Sequence, residues 1–329
     1  MIDVYILSAV RTPIGKFLGK LSTLKAIQLG TLAVKEAVNR AGVDKNDIDE
    51  VIMGCVFQAG LGQAPARQVA IFAGIDVKTS ALTINKVCGS GLAAVVLGCK
   101  AIKAGDADVV VAGGMESMSN VPYLLPNVRR GLKLGNTKLS DALVSDGLWD
   151  VYNDFHMGDT AELVASKYNI LRHQIDEYAL NSHKKAIAAI KGGNFDDQII
   201  PVEIKSERGE TSFFKTDECP RDDTTIEKLL RLKPVFKKDG VVTAGNSSQI
   251  SDGASAVVIV SEKKMKELKV KPLARIIGYS TGGVEPKWVM MAPGEAMKNL
   301  EKKVGIRRYE FDFIEINEAF AAQMCALIK

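Results

Sequence analysis

The sequence predicts an α/β protein in which a mixed or parallel sheet is covered by helices. Three observations predict it. Short β-branched runs alternate with amphipathic helical patterns through residues 1–118. A helix-plus-strand segment recurs near the C-terminus. Composition is that of an ordinary globular chain, with 47% hydrophobic and 25% charged residues.

In chain order, strands read over Asp3–Ala9, Glu50–Phe57, Ala81–Asn85 and Asp108–Gly113, and helices over Thr23–Ala41, Ala64–Ala73 and Gly89–Ala104. From Ser119 to Gly245 the texture changes: all three histidines (His156, His173, His183) and the polar runs RGET and DDTT fall here, which reads as an inserted lobe with helices at Thr160–Asn169 and Arg172–Gly192. Further on, AMKNLEKKVGIRRYEFDFIEIN from Ala296 aligns without gaps on AVKEAVNRAGVDKNDIDEVIMG from Ala33, so that Ala33, Lys35, Gly42 and Asp49 meet Ala296, Lys298, Gly305 and Asp312. LARIIGYSTGGV from Leu273 echoes the opening VYILSAVRTPIG. Matches of this length also arise by chance between amphipathic helices followed by buried strands. If the repeat is real, FDFIEI is a strand matching Glu50–Met53, and a helix closes the chain over Ala319–Lys329. The expected domains are residues 1–118 with about 246–270 as the first repeat, 119–245 as the inserted lobe, and 271–329 as a second, incomplete repeat.

Charge and cysteine usage exclude several functions. A net charge of +4, with acidic and basic residues interleaved, argues against nucleic acid and leaves room for an anionic small molecule. The five cysteines show no C-x-x-C spacing, so neither a disulfide framework nor a structural zinc site is indicated, and no metal is expected. No basic region precedes the first strand as a secretory signal requires, and the apolar runs read as shorter than the roughly 18 residues that cross a bilayer. The expectation is a cytoplasmic protein.

One cysteine stands apart. In NKVCGSGLAAV, Cys88 lies between an apolar strand (ALTIN) and a helix, with Gly89-Ser90-Gly91 permitting a tight turn. Unpaired N–H groups and the macrodipole at a helix start stabilise a thiolate. Free cysteine is also among the most buried residue types, so a core thiol and a nucleophile both remain open on this segment alone.

NKVCGSGLAAV closely resembles the nucleophile segment of the thiolases. SAVRTPIGKFLG at Ser8, GLGQAPARQVA at Gly60, GGMESMS at Gly113, FHMGDTAE at Phe155, GNSSQISDGASAV at Gly245 and NEAFAAQ at Asn317 resemble further thiolase motifs, in thiolase order. The resemblance spans residues 1–329 and implies a layered α-β-α-β-α fold built from two pseudo-repeats. It implies an acetyl-CoA C-acetyltransferase that condenses two acetyl-CoA to acetoacetyl-CoA, reversibly, through an acyl-cysteine, with no bound cofactor and with coenzyme A thioesters and coenzyme A as partners. By the same resemblance Cys88 carries the acyl group and Gly89 supports the oxyanion. Asn317 holds a water at the enolate oxygen, Ala319 and Phe320 line the pantetheine channel, and His156 and Met157 form the acyl and pantetheine pocket. Arg221 lies near the nucleotide and Ser248 bonds the pantetheine arm. Asn317-Glu318 also reads as a helix cap with its first-turn acid. Lys228, Arg231, Lys233, Lys237 and Lys238 read as a solvated face or as cations for the phosphates, and a homodimer or homotetramer is implied where the fold is complete.

The family's Gly-His-Pro and Cys-x-Gly-Gly-Gly segments do not occur in these residues. General-base catalysis typically contributes about 10² to 10⁴-fold, so little or no turnover is the expectation for the chain as written. A thiolase-like coenzyme A-binding protein, or an inactive remnant, is the alternative. EPKWVMMAPGEA departs from the short-chain pattern while the loop from Val121 to Asp150 resembles the acetoacetyl-CoA subgroup, leaving other chain lengths open.

Overall fold

The apolar run Val4-Tyr5-Ile6-Leu7 begins the first strand, β1 (Val4–Arg11), and a mixed sheet grows on both sides of it. The computed structural model describes residues 2–205 and 209–329. By contact these form two units, one of Met1–Gly147, Phe195–Cys219 and Ile250–Ile277, the other of Leu148–Asn194, Pro220–Gln249 and Gly278–Lys329.

In the first unit the strands are β1, β2 (Glu50–Gly54), β3 (Ser80–Ile84), β4 (Val109–Ser117), β7 (Ser251–Ser261) and β8 (Ala274–Arg275), in the spatial order β8-β1-β7-β4-β2-β3. A two-residue strand, Gly15–Lys16, pairs with the start of β7. β2 runs parallel to β3 and β4, whereas β7 is antiparallel to β1 and β4. Both faces of β4 are buried, as its unbroken apolar run implies. Helix α1 (Ala26–Ala41) buries a stripe of Leu29, Ala33, Val34, Ala37, Val38 and Ala41 on the face carrying Val109 and Val111. It stops at Gly42, whose φ of 64° glycine adopts freely. Helix α2 (Pro65–Phe72) joins the same core through Ala66, Val69 and Ala70.

Helix α3 (Ser90–Ala104) covers the opposite face. A Cβ on Gly98 would lie 2.8 Å from Val110 and 2.9 Å from Ile259, the alternate residues of β4 and β7. The approach is closest at the helix start: a Cβ on Gly54 would lie 2.6 Å from the Ser90 backbone, and one on Gly114 3.2 Å from the Cα of Gly91. The stretch Val87–Ala104 is 18 residues long with mean hydropathy 1.5, so one segment reaches the length expected to be missing. It packs on a sheet, with Ala94, Gly98, Cys99 and Ile102 buried.

The stretch expected as one inserted lobe is divided. Residues 195–219 belong with β1, because Arg11 pairs bidentately with Asp217 at 2.7 and 2.9 Å and exchanges backbone bonds with Gln198 and Ile200. The hairpin β5 (Val202–Lys205) and β6 (Thr211–Phe214) lies in this part. Arg208, the first residue of the polar run RGET, falls outside the described residues.

The second unit is helical. Helices α4 (Met157–Lys167), α5 (Arg172–Lys191) and α7 (Ala321–Ile328) share a core of Val164, Ile175, Val242, Met290, Phe320 and Ala322. Helix α6 (Ala292–Val304) ends on Gly305 at φ 73° and leads into a 3-10 turn at Arg308–Glu310, matching in position the end of α1, Gly42 and the turn at Lys45–Asp47. The correspondence ends there. Among the described residues, FDFIEI forms no strand, and Phe313 is 92% exposed. A strand exists only where a neighbour takes its backbone bonds; β2 has β3 and β4 beside it, and Phe311–Ile316 has neither.

The glycine contacts make a direct prediction. Gly54→Ala is expected to destabilise the first unit by about 1–3 kcal/mol through overpacking against Ser90, measured by urea unfolding. Gly42→Ala, where the space is open but φ is positive, is expected to cost about 1 kcal/mol. A Gly54 loss no larger than the Gly42 loss would contradict the close approach.

Candidate active site

Two clusters hold the candidate residues, one in each unit. In the first, β3 ends at Ile84 and α3 begins at Ser90, so the chain must reverse over five residues. Asn85 Oδ1 accepts the Val87 N–H at 2.9 Å, and Ser90 Oγ accepts the Lys86 N–H at 2.8 Å while donating to the Val87 carbonyl at 2.6 Å. These bonds hold Val87 at φ 49°, a conformation β-branched residues rarely adopt. A sharp, strained strand-to-helix turn of this kind lifts the next side chain clear of the sheet. Cys88 is exposed as a result.

The electrostatics run against one expectation. Helix-start geometry suggested a stabilised thiolate, yet crowding by protein on its inner side pushes the Cys88 thiol above its ordinary pKa, and Glu116 pushes the same way. Only the residue's own backbone N–H opposes them. The Gly89 N–H, expected to face a thioester oxygen, donates instead to the Lys86 carbonyl at 3.1 Å. Cys55 lies close by, but it is buried and its thiol is pushed up further by burial and by Glu116.

The second cluster assembles on α4 and α7. His156 caps α4: its Nδ1 accepts the Gly158 N–H at 3.0 Å, and Asp159 accepts the His156 N–H at 3.2 Å. With Nδ1 occupied as an acceptor, the imidazole is neutral with its proton on Nε2. The ring stacks on Phe236 at 4.8 Å, and Phe236 meets Phe320 edge-on at 6.4 Å. Burial lowers the His156 pKa, with Asp159 opposing. Ser248 joins through the backbone, its N–H donating to the Ala319 carbonyl at 3.0 Å while the Ala321 N–H donates to the Asn246 carbonyl at 3.0 Å. Asn246 is itself pinned, bonding Thr243, Val241 and the buried Asp176. Glu162 takes the Val241 and Val242 N–H groups at 2.8–3.0 Å, which fixes the preceding loop. His156, Met157, Ser248, Ala319 and Phe320 therefore stand in one neighbourhood.

Asn317 and Arg221 are held differently. α7 begins at Ala321 with Phe320 at its cap, so Asn317-Glu318 is no helix cap. Glu318 instead accepts from Tyr178 Oη and Ser182 Oγ of α5, each at 2.6 Å, and anchors the residue beside Asn317. Arg221 is exposed, 3.4 Å from Asp223, and its N–H donates to His183 Nδ1 at 3.2 Å. Lys228 is tied to Asp223 at 3.0 Å. Sequence reading missed Phe236, whose only signal was one aromatic among lysines, and it missed Asn85, Glu116, Tyr178 and Ser182, polar residues that carried no pattern of their own.

Two outcomes follow from these shifts. Iodoacetamide is expected to modify Cys88 ahead of Cys55 and Cys99, at a rate still climbing near pH 9, since a raised pKa delays thiolate formation; a plateau near pH 7 would count against it. For His156 the folded-state pKa lies below the unfolded one. Its contribution to stability is thus complete above about pH 6.5 and is lost as pH falls through that value toward the depressed one. Melting curves of the wild type are expected to lose stability between about pH 7 and pH 5.5, and His156→Asn, which keeps the cap, to lose less.

Comparison with known proteins finds relatives over almost the whole chain. The family model described as "Thiolase, N-terminal domain" matches residues 4–263, and "Thiolase, C-terminal domain" matches residues 270–329. An acetyl-CoA acetyltransferase of Pseudomonas aeruginosa is 49% identical over 327 residues, covering 99% of this chain and 83% of that protein. A probable acetyl-CoA acetyltransferase of Escherichia coli is 50% identical, covering 100% of this chain and 84% of that protein. The crystal structure of the Bacillus anthracis acetyl-CoA acetyltransferase superposes with a TM-score of 0.97 at 43% identity, covering 99% of this chain and 82% of that one. Because models for both domains match, the expectation of lost turnover draws no support from these relatives. By both domain matches and by its relatives, the chain belongs to the thiolase family.

Proposed function

We propose that this chain is an acetyl-CoA C-acetyltransferase that joins two acetyl-CoA into acetoacetyl-CoA, or runs the reverse cleavage, through an acyl-Cys88 intermediate. The observation that carries the proposal is the strained turn at Val87, which presents Cys88 to solvent at the start of α3. In the first half-reaction the Cys88 thiolate attacks the thioester carbonyl. A tetrahedral oxyanion forms, the bond from carbon to the coenzyme A sulfur breaks, and coenzyme A leaves as its thiolate. Exchange between two thioesters costs little, because the bond made resembles the bond broken.

The Cys88 amide, on the same residue as the sulfur, is the donor assigned to the oxyanion. In the second half-reaction another acetyl-CoA gives up an α-proton, which neutralises the coenzyme A thiolate set free in the first. The resulting enolate carbon attacks the acyl-cysteine carbonyl, the carbon–sulfur bond breaks, and Cys88 is released as a thiolate. Asn317, with a water, would face the enolate oxygen. The stacked His156 and Phe236, with Met157, Ala319 and Phe320, offer an apolar wall for the acyl and pantetheine portions, and Ser248 a polar contact to the arm. Arg221, exposed and cationic, suits the nucleotide phosphates.

Incubation with acetyl-CoA is expected to place one acetyl group on Cys88, detected by intact and peptide mass. Cys88→Ser is expected to lower cleavage of acetoacetyl-CoA by about a thousandfold or more. A folded chain that takes no acetyl group, or one that acetylates elsewhere with Cys88 untouched, would sink the reading.

A further inference from the structure

Glu116 stands at the end of β4, one residue beyond Met115 in the motif GGMESMS, and its carboxylate grips the segment that follows β2. Oε2 accepts the Val56 N–H at 2.8 Å and Oε1 the Phe57 N–H at 3.1 Å, while the Cys55 thiol donates to Oε1 at 3.6 Å. Burial raises the Glu116 pKa and the two backbone bonds lower it.

That gripped segment leads to the Cys88 turn by two routes. The Cys55 N–H donates to the Ile84 carbonyl at 3.0 Å, at the end of β3. The Val56 carbonyl accepts from Asn85 Nδ2 at 3.4 Å, and the same side chain's Oδ1 takes the Val87 N–H at 2.9 Å. Carboxylate, Val56, Asn85 and Val87 thus form one chain of bonds ending at the strained residue that aims Cys88. A carboxylate suits the first link because it has two acceptor oxygens and no donor. Asn85 suits the second because one amide donates to a carbonyl and accepts from an N–H.

We propose that Glu116 and Asn85 are positioning residues for Cys88, acting through Val56 on the turn at Val87. The proposal rests on Cys88 being the acyl-carrying residue only for its catalytic consequence; the mechanical link stands without it. Strain at Val87 needs surroundings that over-determine it, and these bonds supply part of that constraint.

Amide hydrogen exchange reads the turn whatever the substrate. Glu116→Gln and Asn85→Ala are each expected to speed exchange at Val87 about tenfold while amides of β4 and β7 stay as they were. The double variant is expected to add little to the stronger single, since both cut one chain. Acetylation of Cys88 by acetyl-CoA is expected to slow by about ten- to a hundredfold in either variant, whereas alkylation by iodoacetamide, which needs only a reachable thiolate, does not slow, and in Glu116→Gln, which removes a charge that disfavours the thiolate, it rises if it changes. Asn85 is exposed, so its variant keeps the test alive if Glu116→Gln folds poorly. Unchanged exchange at Val87 in Asn85→Ala, independent effects in the double variant, or alkylation lost in step with acetylation would overturn the proposal. A wild-type chain that shows the coupled exchange yet takes no acetyl group leaves the positioning intact and removes the acyl-transfer reading instead.

Discussion

The first unit depends on the close approach of α3 to bare backbone. Gly54 ends β2 and pairs with Gly114 of the adjacent parallel strand β4, and Gly91 sits in the first turn of the helix above them. With no Cβ at these points the start of α3 settles onto the two strands, nearer than any side chain would allow. Ser90 then lies where its hydroxyl can brace Lys86 and Val87, and the reversal between β3 and α3 closes over five residues. The exposed sulfur is a product of this packing and of the strained turn at Val87 that it allows.

Placement and reactivity are separate matters here. The helix start places Cys88 where its own amide can act, but burial around the sulfur and the carboxylate of Glu116 both disfavour the anion. Crowding on the inner side of the sulfur outweighs the helix end. The second unit solves a related problem with neutral groups. His156 gives its Nδ1 to a helix N–H and its face to Phe236, so the ring serves as an oriented apolar surface with its one proton on Nε2. Glu318 shares its charge between two hydroxyls, and burial together with that carboxylate pushes the Tyr178 phenol upward.

What could be read from the sequence is what short-range chemistry decides. The stripe on α1, the proline opening α2, the paired glycines after α1 and α6, and the Cys88 segment all announce themselves within a few residues. Features made by distant partners did not. FDFIEI has the composition of a strand and lacks the neighbours that make one. The expected lobe is divided because Arg11 and Asp217, far apart in the chain, form a paired contact that no local pattern encodes. Phe236 was hidden by its charged neighbours, and Glu116 looked like one more acid at a strand end. The thiolase motifs supplied most of the residues named for the site, but not what each one touches.

Val87 carries a consequence for how this chain can change. A glycine there would adopt the same positive φ without strain, and the backbone would hold its turn more cheaply. The same exchange would leave the sulfur on a freer hinge, open to several directions. Selection for robustness alone would therefore erase the residue, and its persistence would mark lineages in which the aim of the thiol still matters.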